Sequence, residues 1–306
     1  MGQEVKTMLN PQKTRLGIAP LTWTNDDIPE LGGDIPFEQC VSEMALAGFA
    51  GCEVGNKFPK DPAVLRPALE LRGLQVCNAW FSPYLTTKPL EENEAAFRKH
   101  CAFLKAMGAS VVGGGEQGHS PQGDIKAPVW SRKAVFTEEE WGRLTKGLNQ
   151  LGRIARDDFG LTLCYHHHMG TGVQTVAETD RMLDATDPAL VSLNYDSGHF
   201  YFSFEDPVAA LKKYIGRVRH VHLKDVRAGE RERCRDRDMS FMAAVESGVF
   251  TVPGDGVIDF PAIFRILEGA GYEGWLVVEA EQNPAKAHPL TYARKARAYI
   301  HEHTGL

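Results

Sequence analysis

The stretch Val218 to Asp225, Val-Arg-His-Val-His-Leu-Lys-Asp, sets two imidazoles and an amine into an otherwise apolar run. Side chains alternate along an extended chain, so His220 and His222 share one face, and Lys224 continues that face past the strand end. Such groups aimed one way make a poor core and a good wall for a site that binds metal or moves protons. Three other apolar runs end similarly. Val191 to Tyr195 runs into Asp196, with His199 three residues on. Leu161 to Tyr165 runs into His166, His167 and His168. Trp275 to Val278 runs into Glu279, with Glu281 two residues later. If these ends meet, a histidine of the 166–168 run, Asp196, His222 and Glu279 offer two imidazoles and two carboxylates. That mixed set suits a borderline divalent ion, Mn²⁺ or Co²⁺, better than Ca²⁺, which prefers oxygen alone. Mg²⁺ and Zn²⁺ rank behind them.

The remaining polar residues sort around that centre. In extended geometry His166 and His168 share a face while His167 points away. His166 is the preferred strand-end ligand, with His168 as the alternative for that place and otherwise a proton carrier. Glu281 shares the face of Glu279 and is a rival ligand. His199 and Lys224 flank the ion as acid–base or hydrogen-bonding groups, against a plainer reading as loop polarity. His220 reads as support or core rather than ligand. Glu53 and Glu116, at the ends of two further runs, are expected to bind substrate hydroxyls, with Lys57 as a further substrate-binding residue and a purely structural role as the competing reading; for Glu279 the competing reading is a structural ion pair. Gly113-Gly114-Gly115 lacks the Lys-Ser/Thr of a phosphate loop and reads as close packing.

The elements that must carry these residues alternate between strand and helix. Strands are expected at Leu16–Ala19, Cys52–Val54, Leu74–Trp80, Ser110–Val112, Leu161–Tyr165, Val191–Tyr195, Val218–Leu223 and Trp275–Glu279. A helical pattern follows each. Capping boxes at Thr137/Glu140 and Thr175/Glu178 and the pair Asp206-Pro207 mark helix starts, and Gly73, Gly108 and Gly160 mark stops. Eight such units demand a parallel sheet and predict an α/β fold, a single (β/α)₈ TIM barrel spanning residues 1–306 with a loose tail at 1–13. In such barrels chemistry gathers at the C-terminal strand ends, where the polar residues fall. Long loops are expected before Phe136 and from Asp225 to Val257. Within the second, the sign-alternating run Arg227 to Asp238 reads as a solvated loop.

Composition excludes other classes. The 306 residues are 43% hydrophobic and 24% charged, enough for one large core. A net charge of −6 argues against nucleic acid as a partner. No apolar run approaches the roughly 20 residues needed to span a bilayer, and the start lacks a signal peptide's apolar stretch. The six cysteines are scattered without CxxC pairs and read as reduced core residues of a cytoplasmic protein. No surface patch identifies an interface, which leaves a homo-oligomer open.

The order of the His run, Asp196-x-x-His199, His-Val-His222-Leu-Lys-Asp and Val-Val-Glu279 resembles the sugar isomerase-like (xylose isomerase-like) TIM-barrel superfamily. The motifs Gly17-Ile18-Ala19-Pro20, Trp23-Thr24-Asn25-Asp26-Asp27, Glu53-Val54-Gly55-Asn56-Lys57 and His168-Met169-Gly170-Thr171-Gly172 are similar to the inosose dehydratases within it. The resemblance implies a metal-dependent dehydration of a polyhydroxy cyclic ketone, scyllo-inosose (2-keto-myo-inositol), to a trihydroxycyclohexane dione. It implies Asp196, His222 and Glu279 as ligands, Mn²⁺ or Co²⁺ as the ion, and an associated glutathione requirement. One departure is visible: many relatives carry a Glu at the end of the fifth strand, where this chain has His166, so the site is one negative charge poorer. A keto-sugar epimerase or isomerase, using the same enediolate, is the alternative reading.

Overall fold

The computed structural model describes residues 8–306. Its framework alternates strand and helix: β1 (Thr14–Ile18), α1 (Phe37–Leu46), β2 (Gly51–Val54), α2 (Pro62–Glu70), β3 (Gln75–Phe81), α3 (Leu90–Ala106), β4 (Val111–Gly114), α4 (Glu138–Ile154), β5 (Thr162–His166), α5 (Val176–Asp184) and β6 (Val191–Asp196). Then come α6 (Ser197–Phe202), α7 (Pro207–Tyr214), β7 (Val218–Leu223), β8 (Asp225–Val226), α8 (Ala228–Asp236), α9 (Phe241–Ser247), β9 (Phe250–Thr251), α10 (Phe260–Gly269), β10 (Gly274–Val278) and α11 (Pro289–Thr304). The strands β1 to β7 and β10 pair in parallel and close, β10 returning to β1. This is the expected (β/α)₈ barrel, with strand ends moved by one or two residues.

The strands are buried on both faces because helices cover the outside and the barrel fills its own interior. Outward residues such as Leu16, Ile18, Leu276 and Val278 join the large core beneath the helices. A separate cluster of Ala19, Cys77, Trp275 and Val277 plugs the barrel interior beneath the strand C-terminal ends. The plug needs glycine beside it: a Cβ on Gly17 would meet the Cys77 sulfur at 2.5 Å, and one on Gly51 the Trp275 ring at 2.6 Å. The row Trp275, Val277, Glu279 therefore climbs from plug to site with period two.

Local signals hold at the helix ends. Thr137 and Thr175 form reciprocal capping boxes with Glu140 and Glu178. After Ile154 the chain widens into one π turn, Ala155–Phe159, and Gly160 ends it in the left-handed conformation.

The structure departs from expectation in three places. A short helix, α6, follows β6 directly, capped by Asp196, whose Oδ1 accepts the His199 N–H at 2.8 Å. The expected loop from Asp225 to Val257 is a β8–β9 hairpin enclosing α8 and α9. Within it, Arg227 to Asp238 is mostly helix rather than solvated loop: its alternating charges pair at i,i+3, Arg233 with Glu230 and Arg235 with Glu232. Of the expected tail, residues 1–7 lie outside the described residues, while Leu9 is buried and its N–H bonds Thr304 O at 3.2 Å, so the chain is docked from there. All six cysteines are buried and free. Among the described residues no helix is long and apolar enough to cross a membrane.

Candidate metal centre and active site

Parallel pairing sets Asp196 opposite His222, and His222 opposite Val277, so β6, β7 and β10 deliver Asp196, His222 and Glu279 to one spot. β5 ends at His166, which adds the fourth group. One donor atom from each lies within 4.8 Å of the others. His166 Nε2 stands 3.2 Å from His222 Nδ1 and 3.4 Å from Asp196 Oδ2. His222 Nδ1 is 3.6 Å from Asp196 Oδ2 and in direct contact with Glu279 Oε2.

These residues fit a divalent ion. Asp196 Oδ2 is fully buried and has no hydrogen-bond partner. His222 gives its other nitrogen, Nε2, to Glu53 Oε1 at 3.0 Å, which turns Nδ1 inward, toward Glu279 Oε2 and His166 Nε2. The Asn194 amide lies 3.3 Å from the same Nε2, and its Oδ1 is otherwise unpartnered; turned, that oxygen accepts the N–H. Two inward-facing imidazole nitrogens and two carboxylate oxygens, all buried, suit a cation placed among them. Without one, a proton serves in part: burial opposes charge on His222, but Glu279 and Glu53 override it and hold its pKa well above the usual range. Burial likewise works against the Glu279 carboxylate, yet His222 and Lys224 pull its pKa down to about 2. A divalent ion and the His222 proton are thus alternatives for the same carboxylates.

A second knot lies alongside. Lys224 is fully buried and donates to Glu279 Oε1 at 2.9 Å and to the two Glu281 oxygens at 2.8 and 2.7 Å. Its Nζ also sits 3.1 Å from His199 Nε2. Burial pushes the Glu281 carboxyl up to about 7, with Lys224 pulling the other way. His168 donates Nδ1–H to Met169 O at 3.0 Å, so its Nε2 lone pair is free. Burial, then His166 and Lys224, lower its pKa to about 3, so it stays neutral. His167 points away, stacked on Phe200 at 3.6 Å between ring centres.

Above the knots opens a cavity of about 860 Å³ whose floor includes His222, Glu279, Glu281, His168 and Glu53. Its walls include Asn25, Asp26 and Asp27 from the loop after β1 and Trp80 from the C-terminal end of β3. Trp80 packs edge-on against both His166 and His168. Several expected site residues go elsewhere. Lys57 does not line the cavity; its Nζ pins the carbonyls of Gly32, Gly33 and Ile35 at 2.8, 2.8 and 2.9 Å. Glu116 is fully buried and clamps a loop through Leu85 N–H, Thr86 N–H and hydroxyl, and Gly118 N–H. Both were expected on the substrate, and both are spent on backbone that strand reading cannot see. Glu53 reaches the cavity, but its Oε1 is committed to His220, His222 and Asn78. His199 and Lys224 do not line the cavity; Lys224 touches His199, Glu279 and Glu281 beneath it. Trp80 was missed as a site residue; its one signal was its place at a strand's C-terminal end.

The family model described as the xylose isomerase-like TIM barrel matches residues 41–303. The chain is 58% identical over 299 residues to the inosose dehydratase of Geobacillus thermodenitrificans, covering 98% of this chain and 100% of that one. It is 57% identical to the inosose dehydratase of Clostridium tetani, covering 96% and 99%. Among solved structures, that of the IOLI protein with a zinc atom superposes with a TM-score of 0.68 at 14% identity, covering 95% of this chain and 100% of that chain, a likeness of fold.

Proposed function

The chain belongs to the xylose isomerase-like TIM-barrel family and, within it, to the inosose dehydratases, which are hydro-lyases, and from that premise we propose that it dehydrates scyllo-inosose to a trihydroxycyclohexane dione. The observation that carries the reading is the join of two groupings under one cavity: four convergent metal donors, and beside them a neutral imidazole and a carboxyl of raised pKa.

His166, Asp196, His222 and Glu279 would hold the ion, Mn²⁺ or Co²⁺ by their mixed nitrogen and oxygen donors. Bound there, a divalent ion supplies Lewis-acid stabilisation of the negative charge that builds on the substrate oxygens as the α-proton leaves. The chain's own residues move the protons. His168, with Nδ1–H tied to Met169 O, presents Nε2 to the cavity and takes the proton from the carbon beside the ketone. Glu281 faces the same cavity and gives a proton to the hydroxyl leaving the adjacent carbon, which departs as water. Lys224, bonded to both Glu281 oxygens and to His199, holds that carboxyl in place and keeps its own proton, because the burial that opposes its charge is outweighed by Asp196, Glu279 and Glu281. The proton taken by His168 resets Glu281 between turnovers. One proton is taken and one delivered, so the step balances. Burial of all three groups keeps bulk water from quenching the transfer.

The test is turnover of scyllo-inosose in D₂O by the Mn²⁺-loaded protein, followed by mass spectrometry and NMR. Product lacking one water is the expected result. Deuterium at the α-carbon of unchanged or epimerised ketose, with no water lost, would replace this reading with the epimerase or isomerase one.

A further inference from the structure

Beside the four-donor centre, His168, His199 and Glu281 form a second donor group. One ligand atom from each lies within 4.8 Å of the others, and all three are buried. Two imidazoles and a carboxylate are a ligand set that holds zinc in many enzymes. His168 Nε2 is bare, and His199 Nδ1 has no partner although it is fully buried. A second ion here would make a two-metal site of the whole floor.

The chain fills that place itself. The Lys224 ammonium lies against His199 Nε2 and both oxygens of Glu281, with Glu279 Oε1 at 2.9 Å and Asp196 Oδ2 at 3.6 Å. Its housing is built for it. A Cβ on Gly198 would come within 2.4 Å of the Lys224 Cγ, so only glycine lets the start of α6 close over the lysine stem. Ser197 Oγ donates to Lys224 O at 2.8 Å and accepts its N–H at 3.1 Å, clamping the backbone. The Phe250 ring from β9 lies 5.0 Å from the ammonium. Four successive residues thus serve the two knots: Asp196 faces the metal donors, Ser197 and Gly198 seat the lysine, and His199 accepts from it.

We infer that Lys224 is a tethered cation that occupies the second ion's place and limits the centre to one divalent ion per chain. The inference rests on the reading of His166, Asp196, His222 and Glu279 as a metal centre. It has a chemical consequence. An ion held by His168, His199 and Glu281 would consume the His168 lone pair and the Glu281 carboxylate. An ammonium neutralises the carboxylates without coordinating either group, so both stay free for proton transfer.

The experiment is metal content per chain after equilibration with excess Zn²⁺ and desalting, for wild type, Lys224→Ala and the double variant Lys224→Ala/Glu281→Gln. Wild type holds one ion, Lys224→Ala two, and the double variant one. A Lys224→Ala protein that folds only when Zn²⁺ is supplied, and then carries two ions, also supports the inference. A Lys224→Ala protein that keeps one ion, or stays unfolded in saturating Zn²⁺, overturns it. Two ions on wild type overturn it while leaving the metal centre standing; no ion on wild type refutes the metal centre itself.

Discussion

Replacing Glu53 with Gln separates two roles for one carboxylate, binding substrate or aiming His222. Glu53 Oε1 accepts from His222 Nε2 at 3.0 Å and from His220 Nε2 at 2.9 Å, with Asn78 Nδ2 at 3.2 Å. Glutamine keeps the shape and an accepting oxygen and loses the charge. A hydrogen bond to a charged acceptor contributes about 1.5–3 kcal/mol and a neutral one about 0.5–1.5, so about 1–2 kcal/mol of hold on His222 is lost. That corresponds to roughly 5- to 30-fold weaker ion binding, overlapping the lower part of the roughly 10- to 100-fold range for outer partners of metal-bound histidines. Calorimetric titration of the metal-free protein with Mn²⁺ reads the affinity, and the absorption spectrum of the Co²⁺ form reads the coordination. Unchanged affinity and spectrum, with a raised KM for the ketone, would refute the aiming role and return Glu53 to the substrate.

Three further outcomes follow from the same geometry. His168→Gln should lower turnover by roughly 10² or more while metal content per chain is unchanged, because His168 belongs to the proton path and not to the four-donor set; surviving activity would move the base elsewhere. Lys57→Met should leave KM within about twofold and cost about 1 kcal/mol of stability in urea, since its ammonium holds an exposed loop rather than substrate. His167 sits in a dry stack where burial, then His166, depress its pKa well below the usual value. Its native form is neutral, whereas the unfolded residue takes up a proton below about pH 6.5. Stability is therefore lost as pH falls below about 6.5, approaching about 1.4 kcal/mol per pH unit for this residue. His167→Phe should reduce the stability lost between pH 6.5 and 5.5, read by urea unfolding, by about 1 kcal/mol, the share of that limiting slope reached so close to the unfolded pKa; an unaltered loss would show that His167 is not held neutral.

The strand ends were legible because period-two alternation survives in a barrel strand even when both faces are buried: His220, His222 and Lys224 could share only one face. The choice between His166 and His168 was not legible, since it depends on where β5 stops being extended, and it stops at His166. Helix α6 was missed because Ser-Gly-His-Phe-Tyr-Phe is short and built from weak helix formers, and a side-chain cap from Asp196 starts it. The helix at Ala228–Asp236 was hidden by its lack of an apolar face, Cys234 being its one buried residue. Glu116 and Lys57 were misjudged for a different reason. Their partners lie about 20 to 30 residues away on other loops, and no local pattern records such contacts. Lys224 was recognised as part of the site, but its place between Glu279, Glu281 and His199 depends on Gly198 making room, which only packing reveals.

The central claim is that the four-donor centre drives an elimination on a cyclic ketone. Its most direct test is the ultraviolet spectrum of Mn²⁺-loaded protein mixed with scyllo-inosose, run beside Asp196→Asn, which neutralises the one unpartnered carboxylate oxygen of the centre. The account predicts a conjugated enol–dione band that grows with wild type, vanishes with EDTA, returns with Mn²⁺ and is absent from a folded Asp196→Asn protein that has lost its ion. A band that persists in EDTA, or at full rate in metal-free Asp196→Asn, would contradict it.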